Sequence, residues 1–116
     1  MKETIQQLIK DYRESASAHG KATFDGDHKA ANRNYHKLVA LLPKIRAYGN
    51  AGEMALLALS ADKDESVACW SATHSLKFEE NRALSVLSDL AKKAGPIGFN
   101  AKMVVQQWAK GQLFLP

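Results

Sequence analysis

"ALLALS" at residues 55–60 recurs as "ALSVLS" at residues 83–88. The stretches that follow them, "VACWSATHSL" at 67–76 and "FNAKMVVQQW" at 99–108, also align with each other. In each copy, the first stretch indicates an apolar helix and the stretch that follows indicates a second helix. The repeat therefore predicts two helical hairpins, at 51–78 and 79–111. Hairpins of about thirty residues bury their apolar faces against a neighbouring hairpin, which is the principle of an α-solenoid.

Upstream of the repeat, residues 1–50 predict a longer, divergent first hairpin. Its first helix is expected over 3–22, where apolar residues recur at helical spacing: Ile5, Leu8, Ile9, Tyr12 and Ala16. The second is expected over 27–48, kinked or ended early by Pro43. The segment 52–60 is so apolar that we expect burial on most sides, and the apolar tail 112–116 should pack down. The prediction is an all-α domain spanning 1–116, with about six helices in three antiparallel hairpins forming a short solenoid.

Composition favours a soluble protein of the reducing cytoplasm that needs no cofactor. The 116 residues are 46% hydrophobic and 24% charged, which is typical of a folded domain, and the single cysteine, Cys69, cannot form an intramolecular disulfide. The first fifteen residues carry charge throughout, unlike a signal peptide. No apolar run approaches the roughly 18–20 residues that a membrane-spanning helix requires.

The most polar stretch, "DGDHKAANRNYHKL" at 25–38, raises the question of a metal site. It lacks the alternating oxygen ligands and closing glutamate of a calcium loop. Two of its histidines are eight residues apart, about 12 Å along a helix, and so cannot share an ion without further ligands. We therefore predict no metal. Asp27 is expected to cap the second helix, Asn32 to tie it to the preceding turn, and Tyr35 to face the core.

The acidic turn "DKDES" followed by "VACWSATHSL" resembles a HEAT-type repeat, although the arginine usual after the valine is Ala68 here. With "GDHKAANRNYHKL" and "GFNAKMVVQQWAKG", the whole chain resembles a small bacterial HEAT-like family of unknown function. The resemblance implies no enzymatic activity. Some such domains look like immunity proteins of polymorphic or contact-dependent inhibition toxins, so the implied partner is the C-terminal domain of a cognate toxin.

Net charge is +4, and the stretch from His28 to Asn50 carries five basic residues and no acidic one. Lys29, Arg33 and Lys37 are spaced four apart and form one stripe. Such a stripe suits a protein-docking face or, as an alternative function, a weak and salt-dependent contact with a nucleic-acid backbone. We favour protein docking, because no aromatic side chain is predicted beside the stripe.

The predicted partner-binding residues combine this basic stripe with the acidic turn and with the second helices of the repeats. Besides Lys29, Arg33 and Lys37 they are Asp62, Asp64, Glu65, Trp70, His74 and Lys102. Trp70 is expected either to be partly exposed as an interface anchor, because its repeat counterpart is Lys102, or to fold against the sixth helix or the tail 112–116. Catalysis by Cys69 with His74 is disfavoured, because the two lie five apart on one helix, about 140° out of register.

Overall fold

Six α-helices form within residues 3–116, the part of the chain described by the computed structural model. They are α1 (Ile5–Asp25), α2 (His28–Arg46), α3 (Asn50–Ala58), α4 (Glu65–Ser75), α5 (Glu80–Ala91) and α6 (Pro96–Ala109). A 3₁₀ turn (Leu59–Ala61) follows α3, and no strand occurs in this range. The predicted all-α fold is confirmed, with packing that suits a helical bundle or short solenoid. Residues 1 and 2 of the predicted domain lie outside the described residues.

Side-chain caps and one glycine set the ends of the first two helices. The Thr4 hydroxyl accepts a hydrogen bond from the Gln7 N–H at 3.1 Å, which starts α1. Gly26 ends α1 in the left-handed conformation, φ 75°, three residues later than predicted. The Asp27 carboxylate accepts from the Ala30 N–H at 3.1 Å, so the predicted cap of α2 is confirmed.

Pro43 does not end α2 early, because the helix continues to Arg46. Proline removes one backbone donor from the ladder, but the turn beyond it is held by other interactions. Ile45 is completely buried, and the Ala47 N–H donates to the Pro43 carbonyl at 3.0 Å. Burial of this last turn therefore outweighs the lost hydrogen bond.

The most buried helix is α4 and not α3, which corrects the prediction for residues 52–60. In α3, Leu56 and Leu57 are buried but Met54 is exposed. In α4, every residue from Ser66 to Ser75 is buried apart from the half-buried Trp70. Most of these side chains are small, so α1, α3, α5 and α6 can all pack against this one helix.

The core lies on two sides of α4. One cluster combines Leu8, Tyr12 and Leu38 with other residues of α1–α3 and reaches Val67 of α4. The other joins α4 to α5 and α6. As the predicted hairpins require, α1 packs along α2 and α5 packs along α6. The α4 helix therefore links the first hairpin to the last.

The two repeats bury only some of the positions that the alignment pairs. Cys69 and its counterpart Ala101 are both buried, but Val67 is buried whereas its counterpart Phe99 is 67% exposed. Val67 packs against the cluster of α1–α3, whereas Phe99 lies on the rim of a cavity. The alignment of Phe99 with Val67 therefore does not extend to their burial.

The tail packs down, as predicted. Leu113 and Leu115 contact the α4–α6 cluster, and Arg46 Nη1 donates to the Pro116 carbonyl at 2.6 Å. Between them, Phe114 is 95% exposed. None of the helices in residues 3–116 has the length and apolar character needed to cross a membrane.

Candidate functional site

A cavity of about 460 Å³ opens between α1, α4 and the start of α6. It is larger than the gaps found in well-packed cores and falls in the size range of ligand pockets, about 300–1,000 Å³. We name it the groove. Its lining residues are His19, Gly20, Thr23, Phe24, Ser66, Cys69, Trp70, Pro96, Ile97, Phe99 and Asn100.

Local sequence features position the three walls of the groove. Gly20 lets α1 approach α4 closely, because a Cβ at this position would overlap the Ser66 side chain. The Ser66 hydroxyl donates to the Ala16 carbonyl at 2.8 Å and fixes the same crossing. Gly95, φ 96°, turns the chain into α6, and Pro96 occupies its first turn, where proline is well tolerated. The walls therefore stand on regular helices.

A second, smaller cavity of about 240 Å³ adjoins the groove. Trp70 and Asn100 line both cavities, so the half-buried indole separates them. The second cavity lies between α2, α4, α6 and the tail. Its other lining residues are Tyr35, Thr73, His74, Met103, Val104, Gln107, Leu113, Phe114, Leu115 and Pro116.

Exposed aromatic side chains gather around these two cavities. Five large apolar side chains of residues 3–116 are exposed, and all but Met54 line one cavity or the other. Phe24 is 82% exposed and Phe99 67%, on the rim of the groove. We call Phe24, Tyr35, Trp70, Phe99 and Phe114 the aromatic face. Scattered exposed apolar residues are ordinary, but a contiguous patch of them marks an interaction surface.

Neither cavity is lined by an Asp, Glu, Lys or Arg side chain, although 24% of the sequence is charged. The basic side chains in the linings are those of two histidines, His19 and His74. Burial lowers the pKa of His74 to about 4, and burial also lowers the pKa of His19. Burial raises the pKa of the Cys69 thiol to about 11. All three groups are therefore uncharged at neutral pH, and the cavities are suited to uncharged ligands.

The interior of the site is held by hydrogen bonds between aromatic and imidazole rings. The Trp70 indole N–H donates to His19 Nδ1 at 3.3 Å, and these rings meet edge to face, with centroids 5.0 Å apart. The His74 ring also lies against Trp70, with ring centroids 5.4 Å apart. His74 Nδ1 and the Tyr12 hydroxyl share a buried hydrogen bond of 2.6 Å. The contacts with His19 and His74 therefore fix the orientation of Trp70.

His74 is only 2% exposed, so its prediction as a partner-contacting residue is corrected. The side chain packs in the core because Tyr12 of α1 provides a partner for its ring nitrogen. Cys69 is also buried, and its sulfur accepts a long hydrogen bond from the Asn100 amide at 3.8 Å. A buried thiol with a raised pKa is a poor nucleophile. The geometry gives no support to a Cys69–His74 catalytic pair.

The acidic turn at 62–65 is engaged within the molecule. Asp62 forms two hydrogen bonds with the Arg13 guanidinium, at 2.7 and 3.1 Å, and this contact lowers the pKa of Asp62. Asp64 caps α4 and accepts from the Ser17 hydroxyl at 2.6 Å. Glu65 pairs with Lys93. These carboxylates hold the start of α4 against α1 and against the turn that follows α5. The cap by Asp64 was expected from the sequence, whereas the contacts with Arg13, Ser17 and Lys93 were not predicted.

The basic stripe of Lys29, Arg33 and Lys37 is exposed, and none of the three forms an ion pair with a carboxylate of residues 3–116. An α-helix turns about 100° per residue, so Arg33 and Lys37 lie about 160° from Tyr35 around α2. The stripe and the aromatic face therefore point away from each other. Lys102 is exposed on α6 and lines neither cavity.

Two structural predictions on α2 need correction. Asn32 is exposed, and the side-chain amide that bonds back to the preceding turn is that of Asn34, whose nitrogen donates to the Ala30 carbonyl at 2.9 Å. Asn34 is closer than Asn32 to the buried Leu38 side of the helix. Tyr35 is 38% exposed and contacts Trp70, with ring centroids 5.8 Å apart. It belongs to the aromatic face and not to the core.

Comparison of the chain with protein-family models, with curated proteins and with solved structures found no match. The interpretation of the site therefore depends on its own geometry. In residues 3–116, no three His, Cys, Asp or Glu side chains are grouped closely enough to hold a metal ion.

Sequence reasoning missed several members of the site, among them His19, Phe24, Phe99, Asn100 and Phe114. Phe24 lay beyond the predicted end of the first helix, and the alignment of Phe99 with the buried Val67 gave no sign that Phe99 is exposed. A helical projection extended to Gly26 would have placed Phe24 off the apolar stripe of α1. Of the two expectations for Trp70, partial exposure agrees with the structure.

Proposed function

We propose that this chain is a non-catalytic protein-binding domain that docks its partner on the aromatic face. The observation that carries the proposal is that four exposed large apolar side chains surround two adjoining cavities. Neither cavity is lined by an Asp, Glu, Lys or Arg side chain. Aromatic side chains set in pockets are the usual anchors of protein interfaces. The packed helices beneath hold this surface in place, which reduces the ordering cost of binding.

We further propose that the partner is the C-terminal domain of a cognate toxin and that the chain acts in the cytoplasm as an immunity protein. Two points support this. The sequence resembles a HEAT-like family with members that look like immunity proteins, and the site offers a binding surface without catalytic groups. Docking of the toxin would cover its active site or its substrate surface, which protects the cell that makes both proteins.

The charge distribution indicates how such a toxin is recognised. A basic nuclease toxin would be expected to need an acidic inhibitor, but the carboxylates of Asp62, Asp64 and Glu65 are engaged in contacts with Arg13, Ser17 and Lys93. The aromatic face, by contrast, exposes Phe24, Phe99 and Phe114. We therefore expect toxin binding to depend on apolar contacts more than on ion pairs.

Co-expression with a candidate toxin domain taken from the neighbourhood of the gene tests the proposal. The expected result is a complex that co-purifies and a toxin that no longer arrests growth. The double variant Phe24→Ala/Phe99→Ala should weaken both the co-purification and the protection from growth arrest. Met54→Ala is the matched control, because Met54 is exposed but lines neither cavity. Co-expression with neither co-purification nor protection would refute the proposal.

One observation favours the alternative of a nucleic-acid-binding module, namely the exposed and unpaired basic stripe. Lys29→Glu/Arg33→Glu/Lys37→Glu should abolish a gel shift at low salt if the stripe contacts phosphates. The exposed residues Lys77, Arg82 and Lys110, reversed together, change the net charge equally and serve as the control. The absence of any shift at low salt would exclude this alternative.

A further inference from the structure

We infer that the groove between α1, α4 and α6 receives an uncharged aromatic side chain that projects from the surface of the toxin domain. This inference rests on the proposed function and specifies its chemistry. It assigns Phe24, Phe99 and Trp70 as the walls of an anchor pocket, with His19 and Asn100 as its polar edge. Three properties of the groove carry it: charge, size and polar groups.

Charge decides the class of the occupant. Among the lining residues only His19 can titrate near neutrality, and its partial burial favours the neutral ring. A carboxylate, ammonium or guanidinium group that entered the groove would lose hydration without gaining an opposite charge, which is costly. By contrast, an uncharged ring would cover the apolar surface of two phenylalanines that water now contacts. The groove therefore selects against charged side chains.

Size and shape favour a single large anchor. The cavity of about 460 Å³ has room for a bulky side chain together with part of the segment that carries it. Its walls are aromatic, and ring pairs gain from edge-to-face or offset contacts beyond the area they bury. Trp70 already makes one such contact with His19, at an interplanar angle of 89°.

The polar edge matches the backbone of a peptide. Because the Trp70 indole N–H donates to His19 Nδ1, the proton of the neutral imidazole is on Nε2, which leaves that nitrogen as a donor. The Asn100 amide on α6 adds a donor and an acceptor. The backbone carbonyl groups that flank an inserted side chain need donors, which His19 and Asn100 can each provide. The flanking backbone N–H needs an acceptor, which the Asn100 amide oxygen can provide.

The probe that tests the inference is N-acetylphenylalaninamide, an uncharged peptide-like aromatic compound. We would titrate it into ¹⁵N-labelled protein and follow the indole N–H signal of Trp70, identified by the Trp108→Phe variant. The expected result is a saturable shift confined to residues around the groove, with a Kd of about millimolar, as small ligands of this size allow. N-acetylphenylalanine, which carries a carboxylate, should bind at least about tenfold more weakly.

Variants locate the binding. Phe24→Ala and Phe99→Ala should each weaken the probe severalfold, and Thr23→Trp, at an exposed position that lines the groove, should block it. Met54→Ala should bind the probe as the parent does. No saturable shift with the parent protein, or equal binding of the charged probe, would overturn the inference.

The toxin provides a second arm that separates the two proposals. If the toxin domain co-purifies equally well with the parent and with Phe24→Ala/Phe99→Ala, the anchor inference is wrong while the immunity function stands. If the probe binds in the groove but the toxin domain neither co-purifies nor loses toxicity, the immunity function is wrong and the groove remains a site for uncharged aromatic groups.

Discussion

At the scale of single residues, the hydrogen bond between Tyr12 and His74 is the most consequential contact. Both side chains are buried, Tyr12 completely, and they lie 62 positions apart in the sequence. The bond joins α1 to α4, and the His74 ring contacts Trp70. A buried polar group that loses its partner costs more than the hydrogen bond contributed, so this pair sets a strict requirement on both positions.

Tyr12→Phe is therefore expected to lower the free energy of unfolding by about 1–3 kcal/mol, because His74 Nδ1 would remain buried without a partner. Urea unfolding measures the change. Tyr35→Phe is the control, since Tyr35 is partly exposed, and its effect should stay within about 0.5 kcal/mol. Equal stabilities of Tyr12→Phe and Tyr35→Phe would contradict the role of the pair.

Acid should destabilise the fold through His74. Its pKa is about 4 in the folded protein, lowered by burial and by the charge of Arg46, against an ordinary value of 6.5. As pH falls below about 6.5 the unfolded chain takes up the proton first, so stability is lost progressively down to about pH 4. The loss amounts to about 3 kcal/mol, and His19, whose pKa is also lowered, acts in the same direction.

Urea unfolding at pH 7, 6 and 5 measures this slope. His74→Gln cannot protonate and should flatten it, whatever its effect on stability at pH 7. Asp62 does not interfere, because its contact with Arg13 lowers its pKa below the ordinary 3.8 and places its titration at more acidic pH. A slope unchanged in His74→Gln would show that other groups bind the proton.

At the scale of elements, the crossing of α1 and α4 builds the groove. Gly20 and Ser66 meet there, and the approach leaves no room for a Cβ at position 20. Sequence periodicity could not reveal this crossing, because a glycine within an amphipathic helix gives no indication of which helix it faces. The same limit explains why α4 was not recognised as the central helix. Two of its polar side chains, Ser71 and Thr73, donate to carbonyls of their own helix and so tolerate burial.

Gly20→Ala should destabilise the domain by about 1–3 kcal/mol through overpacking, despite the better helix propensity of alanine. Ser66→Gly removes the obstructing side chain, so the double variant should recover part of the loss. Unfolding free energies of the four proteins form a double-mutant cycle. Strictly additive effects would show that the two positions do not contact each other.

At the scale of the whole molecule, the charged surfaces are separated from the apolar surface. The basic stripe points away from the aromatic face, and the acidic turn is engaged in contacts within the chain. Helical periodicity and the internal repeat were sufficient to predict six helices and the first and last hairpins. The aromatic face depends on where Phe24, Phe99 and Phe114 emerge after three helices and the tail have packed, which no local pattern in the sequence encodes.

This separation predicts that toxin binding depends little on salt. A tenfold rise in salt, from about 0.05 M to 0.5 M, should change the Kd for the toxin domain by less than about threefold, because the aromatic face carries no charge to screen. Phosphate contacts by the three residues of the stripe would instead weaken binding about 500-fold over the same range. Titrations at both salt concentrations therefore discriminate between the apolar and the electrostatic surface.

The central position of α4 also has a consequence for synthesis on the ribosome. Ser66 bonds to Ala16, fifty residues earlier, and Cys69 contacts Asn100, thirty-one residues later. The nascent chain can cover the first side of α4 as soon as this helix emerges, but the second side must wait for α5 and α6. Pauses in translation between residues 76 and 109 would prolong that exposure, which makes the codons of this interval a determinant of yield.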